Sequence, residues 1–558
     1  MASALRAGPS KMPITESDRS GINRRPADAA PSPARLFGIP GAAIAWAVPF
    51  ALVLAVLLVR NAFLFSTPEY ENADMGADSI LIEQARRFSL LVGNYSREHF
   101  NHPGPAFLYV QGWGESLFYD ALHVVPTPWN GQLIALYGLN ALFAASVVTV
   151  GYGWTRSVRG AAAALAVVAL FGLLHPSMFS SDWMPYVYVP AYFAFVVAIA
   201  SVAAGRTQDC WLAALAGWFL IHGHACFLIF VPVLACAGVA GVLWRRWQER
   251  PQTGKSDIER TLFSPPAPRV WIPVAAISAV FALPIVIELA LHWPGNFGKY
   301  FAYSSSSRSG GHTPIQLARY VLWFWWPHPH AWAVVLVLAA VAALCAWRMR
   351  SGPLRRFCGA LLAIDALSTL LFIAYAAVGV DEINEYYIGY FYWSAPLLLI
   401  LVIALAVTDL LPAKAAAVAA VCAAVAAATA FAVAPLTRFD LAHVDPETPA
   451  TTGPVTDPSL AAGTAAVAAA ADGRPVVLRF GNNAWPAITG LLVQAERTGV
   501  TACVADPNWA FMMTEQFICT PAELREGESF VVYPPGPVPR GSAVVYRLRR
   551  GIVTAGGK

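Results

Sequence analysis

The chain has 558 residues, 57% of them hydrophobic and only 13% charged, with a formal net charge of +4 at pH 7 and a mean hydropathy of +0.54. So much apolar surface exceeds what one water-soluble core takes in, which excludes an ordinary soluble domain and requires lipid as solvent. The small, scattered positive charge gives no basis for a nucleic-acid partner, and the eight cysteines show no metal-ligand spacing.

The first forty positions carry Arg6, Lys11, Arg19, Arg24, Arg25 and Arg35 among Pro, Ser and Ala, the composition of a disordered cytoplasmic tail. The apolar stretch that follows starts too far in, runs too long and lacks a small-residue cleavage site, so it reads as a retained span rather than a signal peptide. Apolar runs of roughly 20 residues match the hydrocarbon core, about 30 Å thick, in which every backbone group must be paired internally. Hydropathy places them at 44–65, 132–154, 161–175, 186–205, 210–221, 226–243, 271–292, 331–347, 357–380, 394–408 and 415–435. The fold class is therefore a polytopic α-helical membrane protein of about eleven transmembrane helices. The two runs flanking His222-Gly223-His224 are short, and read either as a hairpin or as one long tilted helix.

Alternate connections carry Arg156 and Arg159, Arg206, the run from Arg245 to Arg260, the run from Arg348 to Arg356, and Lys414. All fall on the cytoplasmic side under one orientation. The outside then receives 66–130, 293–329, 381–393 and everything after 436. The chain divides into a tail (1–40), a transmembrane domain (41–436), an Ala-, Thr- and Pro-rich linker (437–470) and a small mixed α/β extracytoplasmic domain (471–558). In that last domain 475–480, 501–505, 529–533 and 543–548 read as strands and 484–499 as a helix ending at glycine. Cys503 and Cys519 there are either a disulfide or two buried thiols.

The first outer loop is the most informative segment. It is acidic from Glu69 through Glu71, Asp74 and Asp78, and then has Ile80, Leu81, Gln84, Phe88 and Leu91 at helical spacing. That spacing predicts an interface helix lying along the membrane with its apolar side in the lipid headgroups and Asp78 near its N-terminus. Such an end favours an ionised carboxylate able to accept a proton, although aspartate there is more commonly a cap. Further on, His102-Pro103-Gly104-Pro105 leads into the aromatic run from Ala106 to Tyr119. Two prolines stiffen the turn, so His102 is held in place, either to contact a phosphate or sugar hydroxyl or to cap the next helix.

With a cytoplasmic N-terminus and one span, an acidic outer loop with interface helices, and a Pro-rich turn before an aromatic helix, the chain resembles the GT-C superfamily of membrane glycosyltransferases. The branch it resembles is that of the protein mannosyltransferases and lipid A aminoarabinose transferases. The family's commoner turn is Lys-Pro-Pro-Leu before a tyrosine or tryptophan, where this chain has His102-Pro103-Gly104-Pro105 before Tyr109. The resemblance implies that the family's loop carboxylate corresponds to Asp78, as base or acceptor-orienting group, with Asp74 second. Many members have Glu directly after that Asp, whereas Asp78 is followed by Ser79. Neither metal dependence nor acceptor class therefore carries over, and the cofactor stays unknown.

Sugar transfer from a polyprenyl-phosphate donor to a glycan or glycolipid needs a base for the acceptor hydroxyl and cations for the leaving phosphate. The second outer loop offers Lys299, Arg308 and Arg319 around Tyr300, Tyr303, a serine run and His312. His222 and His224 read as a polar lining of the donor groove, Tyr109 and Glu382 as groove or acceptor contacts, and Asn482, Asn483 and Trp485 as either carbohydrate contacts or a helix cap. Asp365, inside a span, is costly enough to suggest a partner or a function. The expected activity is glycosyl transfer at the outer face of the cytoplasmic membrane. Two other readings are a polymerase or ligase with a lipid-diphosphate donor, resting on Arg308 and His312, and a transporter or flippase, which would put charges in the spans.

Overall fold

The structure, a computed structural model, describes residues 35–36, 39–248, 268–306, 311–434 and 456–556. The basic tail up to residue 34, the stretch through Arg260 and Arg308 lie outside the described residues. Among those described, nine helices are long and apolar enough to cross a membrane. Two shorter ones, Val158–Leu174 and Cys210–Gly223, fill the remaining expected positions.

Met184–Ala203 is the central helix, buried along its whole length. It packs against Pro128–Thr155, Cys210–Gly223, Phe227–Gln248 and Gly352–Val378. Pro268–His292, by contrast, buries only 6% of its apolar window. Its exposed Val280, Leu283 and Leu291 would be unstable in water and find their solvent in lipid tails. The short helix Cys210–Gly223 and the 22-residue Phe227–Gln248 do not merge, because His224 is extended (φ −152°, ψ 138°) and interrupts the helix between Gly223 and Phe227.

Residues 456–556 form a unit of helices Leu460–Ala471 and Trp485–Thr498 around a five-stranded sheet. The strands run in the order Ala502–Val504, Val476–Phe480, Glu528–Tyr533, Ile552–Ala555, Val544–Arg547. The first three are mutually parallel and the last two join antiparallel. The first helix falls within the stretch read as linker, and Ile552–Ala555 is a strand the alternation did not mark. Trp485–Thr498 ends at Gly499, whose φ of +72° suits the left-handed C-cap that glycine adopts without a Cβ penalty. Cys503 and Cys519 form a disulfide.

This unit changes the role of the first-loop helix. Instead of starting near Asp78 and floating in the lipid interface, the helix spans Ala73–Arg86 and is buried on two sides. Met75, Leu81, Ile82 and Ala85 join the core of the membrane domain, while Ala77 and Ile80 join the core of the C-terminal unit. Apolar spacing alone shows which residues seek cover and not whether lipid or protein provides it. At Gly76 the C-terminal unit comes so close that a Cβ would lie 2.6 Å from Thr489 Oγ1.

Buried charge closes the same contact. Arg497 lies 2.8 Å from Glu71, 3.0 Å from Glu83 and 3.3 Å from Glu115. Arg86 adds 2.7 Å to Glu115 and 3.0 Å to Glu83. Burial pushes Glu83 up, but Arg497 and Arg86 outweigh it and hold this carboxyl below its ordinary value. Burial dominates at Glu115, which is pushed up to about 7. Shared cations make so many buried carboxylates tolerable, since each would otherwise be an unpaired charge in a poorly solvated place.

Candidate active site

Between the first-loop helix, the ends of the spans that face it and the C-terminal unit lies a cavity of about 1330 Å³. Asp74, Asp78, His102, His224 and Glu382 all line it. Because the helix starts at Ala73, Asp74 occupies its first turn, and Asp78 sits one turn further on the same face.

The two aspartates have different surroundings. Asp74 is held at both oxygens: Tyr95 Oη donates to Oδ1 and Trp183 Nε1 donates to Oδ2 at 2.8 Å. Asp78 is 5% exposed, and its Oδ1 has no hydrogen-bond partner. Burial, together with the charges of Asp74 and Asp182, pushes its carboxyl well above the usual carboxylate range. This reverses the expectation of a strongly acidic group at a helix N-terminus, because mid-helix burial outweighs a dipole effect confined to the first turn. Asp182 behind it accepts from Trp129 Nε1 at 2.6 Å; burial pushes Asp182 up to about 7.

His102 is positioned by a short ladder, its N–H donating to the Asn94 carbonyl at 2.9 Å and its carbonyl accepting from Gly93 N–H at 2.8 Å. The ring lies 4.3 Å, centroid to centroid, from that of His224, and its Nδ1 accepts from Ala225 N–H at 3.3 Å. An accepting Nδ1 leaves the proton of the neutral ring on Nε2. Burial, with His224 adding to it, holds His102 well below the ordinary imidazole range; burial brings His224 to about 4. Both rings are therefore neutral at pH 7 and act through hydrogen bonds rather than charge.

The Pro-Gly-Pro turn rests on His222. Gly104 N–H donates to the His222 carbonyl at 3.1 Å and Ala106 N–H to His222 Nδ1 at 3.2 Å, while His222 Nε2 donates to the Phe281 carbonyl at 2.8 Å. A Cβ at Gly104 would lie 2.4 Å from His222 Nδ1, which is why glycine stands between the prolines. His222 is thus off the cavity wall, supporting the turn. Tyr109 is off it too, donating to the Leu90 carbonyl at 3.1 Å.

Lys299 and Arg319 are exposed on Gly295–Ser306 and Pro314–Trp323 and do not line the cavity, although Tyr303 beside Lys299 does. His312 is also off the wall, with Nε2 donating to the Val380 carbonyl at 2.7 Å. The cations on the wall are Arg97, Arg549 and Arg550. Arg97 lies 2.8 Å from Asp381 and also pairs with Glu385, which ties the first loop to the rim at 381–393. Arg97 sits between the two motifs of the first loop and was within reach of sequence reasoning; the two C-terminal arginines carry no local signal. Asn482, Asn483 and Trp485 line the cavity's C-terminal wall. Among the described residues, no group of three or more His, Cys, Asp or Glu is arranged to hold a metal ion.

No protein-family model matches the sequence, and no curated protein matches it either. Solved structures do. The crystal structure of ArnT from Cupriavidus metallidurans bound to undecaprenyl phosphate aligns over 92% of this chain and 97% of its own, with a TM-score of 0.52 and 15% identity. Its apo form aligns over 92% and 98%, with a TM-score of 0.52 and 14% identity. The chain has an ArnT-like fold. Identity this low is a statement about architecture, and a fold alone does not fix an activity. Within the ArnT-like fold, the cavity described above is the concave site where the membrane helices meet the extramembrane unit, the usual setting for a ligand.

Proposed function

We propose that the protein is a membrane glycosyltransferase that moves a sugar from a polyprenyl-phosphate donor to an envelope glycan or glycolipid at the outer face of the cytoplasmic membrane. The observation that carries this reading is Asp78, a buried carboxylate with an unpartnered oxygen on the wall of a large cavity, one turn from a locked Asp74 and sharing that wall with a neutral His102. Undecaprenyl phosphate bound by the structurally similar ArnT supports a polyprenyl-phosphate donor. The Cys503–Cys519 disulfide supports placing the C-terminal unit outside the cytoplasm, since such bonds persist in oxidising compartments.

In this reading the acceptor oxygen attacks the anomeric carbon of the donor sugar with inversion. The new C–O bond forms as the bond from that carbon to phosphate breaks, the electron pair leaves with the polyprenyl phosphate, and the hydroxyl proton passes to Asp78. A carboxylate with a raised pKa is the stronger base once ionised. Asp74 holds the cavity's shape through Tyr95 and Trp183, and His102 offers Nε2–H to a sugar or phosphate oxygen. Lys299 and Arg319, exposed and off the cavity wall, attract the anionic donor along the membrane surface.

The test supplies radiolabelled polyprenyl-phosphate sugars to membranes of deletion and complemented strains and follows label into envelope glycans. Label that depends on the intact gene supports the reading. Identical labelling in both strains refutes it.

A further inference from the structure

The C-terminal wall of the cavity holds two arginines that the mechanism above does not use. Leu548 N–H donates to the Gly551 carbonyl at 2.7 Å and closes a turn whose central residues are Arg549 and Arg550. This turn joins Val544–Arg547 to Ile552–Ala555 at the tip of a hairpin. The tip is fixed in place: Arg549 N–H donates to Asp457 Oδ2 at 2.7 Å. Asp457, 1% exposed, accepts from Ser459 N–H at 2.9 Å through Oδ1. Its own N–H donates to the Tyr70 carbonyl at 2.7 Å, so the hairpin is anchored to the first outer loop. Gly551 leaves no room for the tip to shift inward, since a Cβ there would lie 3.0 Å from that of Ala487.

Both arginines face the cavity. Unlike Arg97, whose guanidinium is taken by Asp381 and Glu385, neither closes a salt bridge to a carboxylate among the described residues. Burial weighs against the Arg550 charge, while Asp74 and Asp457 favour it. Yet Asp74 already accepts at both oxygens, and Asp457 is committed to Ser459 and to the backbone of Arg549. Arg550 is half-buried and Arg549 is exposed, the latter's Nη1 donating to the Thr456 carbonyl at 3.4 Å; two guanidinium groups on a rigid turn, with neighbouring carboxylates otherwise engaged, make a site short of its anion. Guanidinium forks match phosphate oxygens in geometry and charge.

We propose that Arg549 and Arg550 form an anion subsite of the cavity and that its occupant is the phosphate of the lipid-linked donor, whose negative charge grows as the sugar departs. This rests on the glycosyltransferase reading. It assigns stabilisation of the leaving group to the C-terminal unit, which bridges to the carboxylate helix through Asp457 and Tyr70.

The experiment uses the full-length protein in lipid nanodiscs and three probes: undecaprenyl phosphate, undecaprenol and inorganic pyrophosphate. The variants are R549Q/R550Q and R549K/R550K, each first shown to melt at the wild-type temperature. We expect the wild type to prefer undecaprenyl phosphate over undecaprenol, the glutamine variant to lose about tenfold or more of that preference, and the lysine variant to keep most of it. A preference unchanged in the glutamine variant overturns the proposal. So does a wild type that binds neither undecaprenyl phosphate nor pyrophosphate. Arginine-dependent binding of pyrophosphate without binding of the lipid keeps the anion subsite but overturns the lipid donor as its occupant, and with it the donor named under the proposed function.

Discussion

Arg497 stands 2.8 Å from Glu71, a carboxylate with no exposure, and thereby joins a helix of the C-terminal unit to the chain just before the aspartate-bearing helix. More than 400 residues of sequence separate the partners, yet their contact decides where Asp74 and Asp78 sit. Replacing Arg497 with alanine leaves Glu71, Glu83 and Glu115 without their shared cation. We expect a loss of about 3–5 kcal/mol, the range for breaking one side of a buried ion pair. Thermal melting and limited proteolysis measure it, with the C-terminal unit cleaved earlier than in the wild type.

Gly104→Ala tests the seat of His102. The added methyl would overlap the His222 ring, so the Pro-Gly-Pro turn must move or the ring must leave its hydrogen bonds to Ala106 and Phe281. A cost of about 1–3 kcal/mol follows from overpacking. Transfer activity should fall more than stability, because His102 shifts with the turn. Activity equal to wild type would show that the turn does not set the position of His102.

Much of this architecture is legible in the sequence because lipid imposes one strict rule: spans must be apolar and about 20 residues long. That rule locates even the helices on either side of His222 and His224, and only the backbone at His224 was needed to separate them. The acidic loop and the His-Pro-Gly-Pro turn are also legible, being local motifs. What periodicity does not carry is contact between distant segments. The helix start at Ala73, with φ +53°, is masked by Gly76, a poor helix former that Thr489 requires to be small. Burial of Asp78 follows from tertiary packing, and of the two charges that raise its pKa further only Asp74 is local, Asp182 being remote in sequence. The same holds for Arg549 and Arg550, which reach the cavity only because a hairpin folds back over it.

Activity should depend on pH through Asp78. Burial pushes its carboxyl well above the usual carboxylate range, so the base form of the free enzyme appears at higher pH than for an ordinary aspartate. His102, held well below its ordinary value, stays neutral and adds no limb there. The expected kcat/KM profile rises with pH along an acid limb displaced upward from the ordinary carboxylate range. An acid limb lying in the ordinary carboxylate range would remove Asp78 as the base.

Replacing Cys503 with serine opens the link to Cys519, 16 residues along the chain. A loop of that size contributes about 3 kcal/mol when closed. The expected outcome is a lower melting temperature for the C-terminal unit under oxidising conditions, and little difference from wild type once a reductant is present. An equal melting temperature without reductant would mean the bond does not form in the native protein.

Asp78→Asn is close in shape and cannot take up a proton, so single-turnover transfer of radiolabelled sugar from polyprenyl phosphate by the purified variant is the most direct test. The account predicts a loss of about 10²–10⁴ in rate, with melting temperature and undecaprenyl phosphate binding unchanged. Transfer within a few-fold of wild type would contradict it.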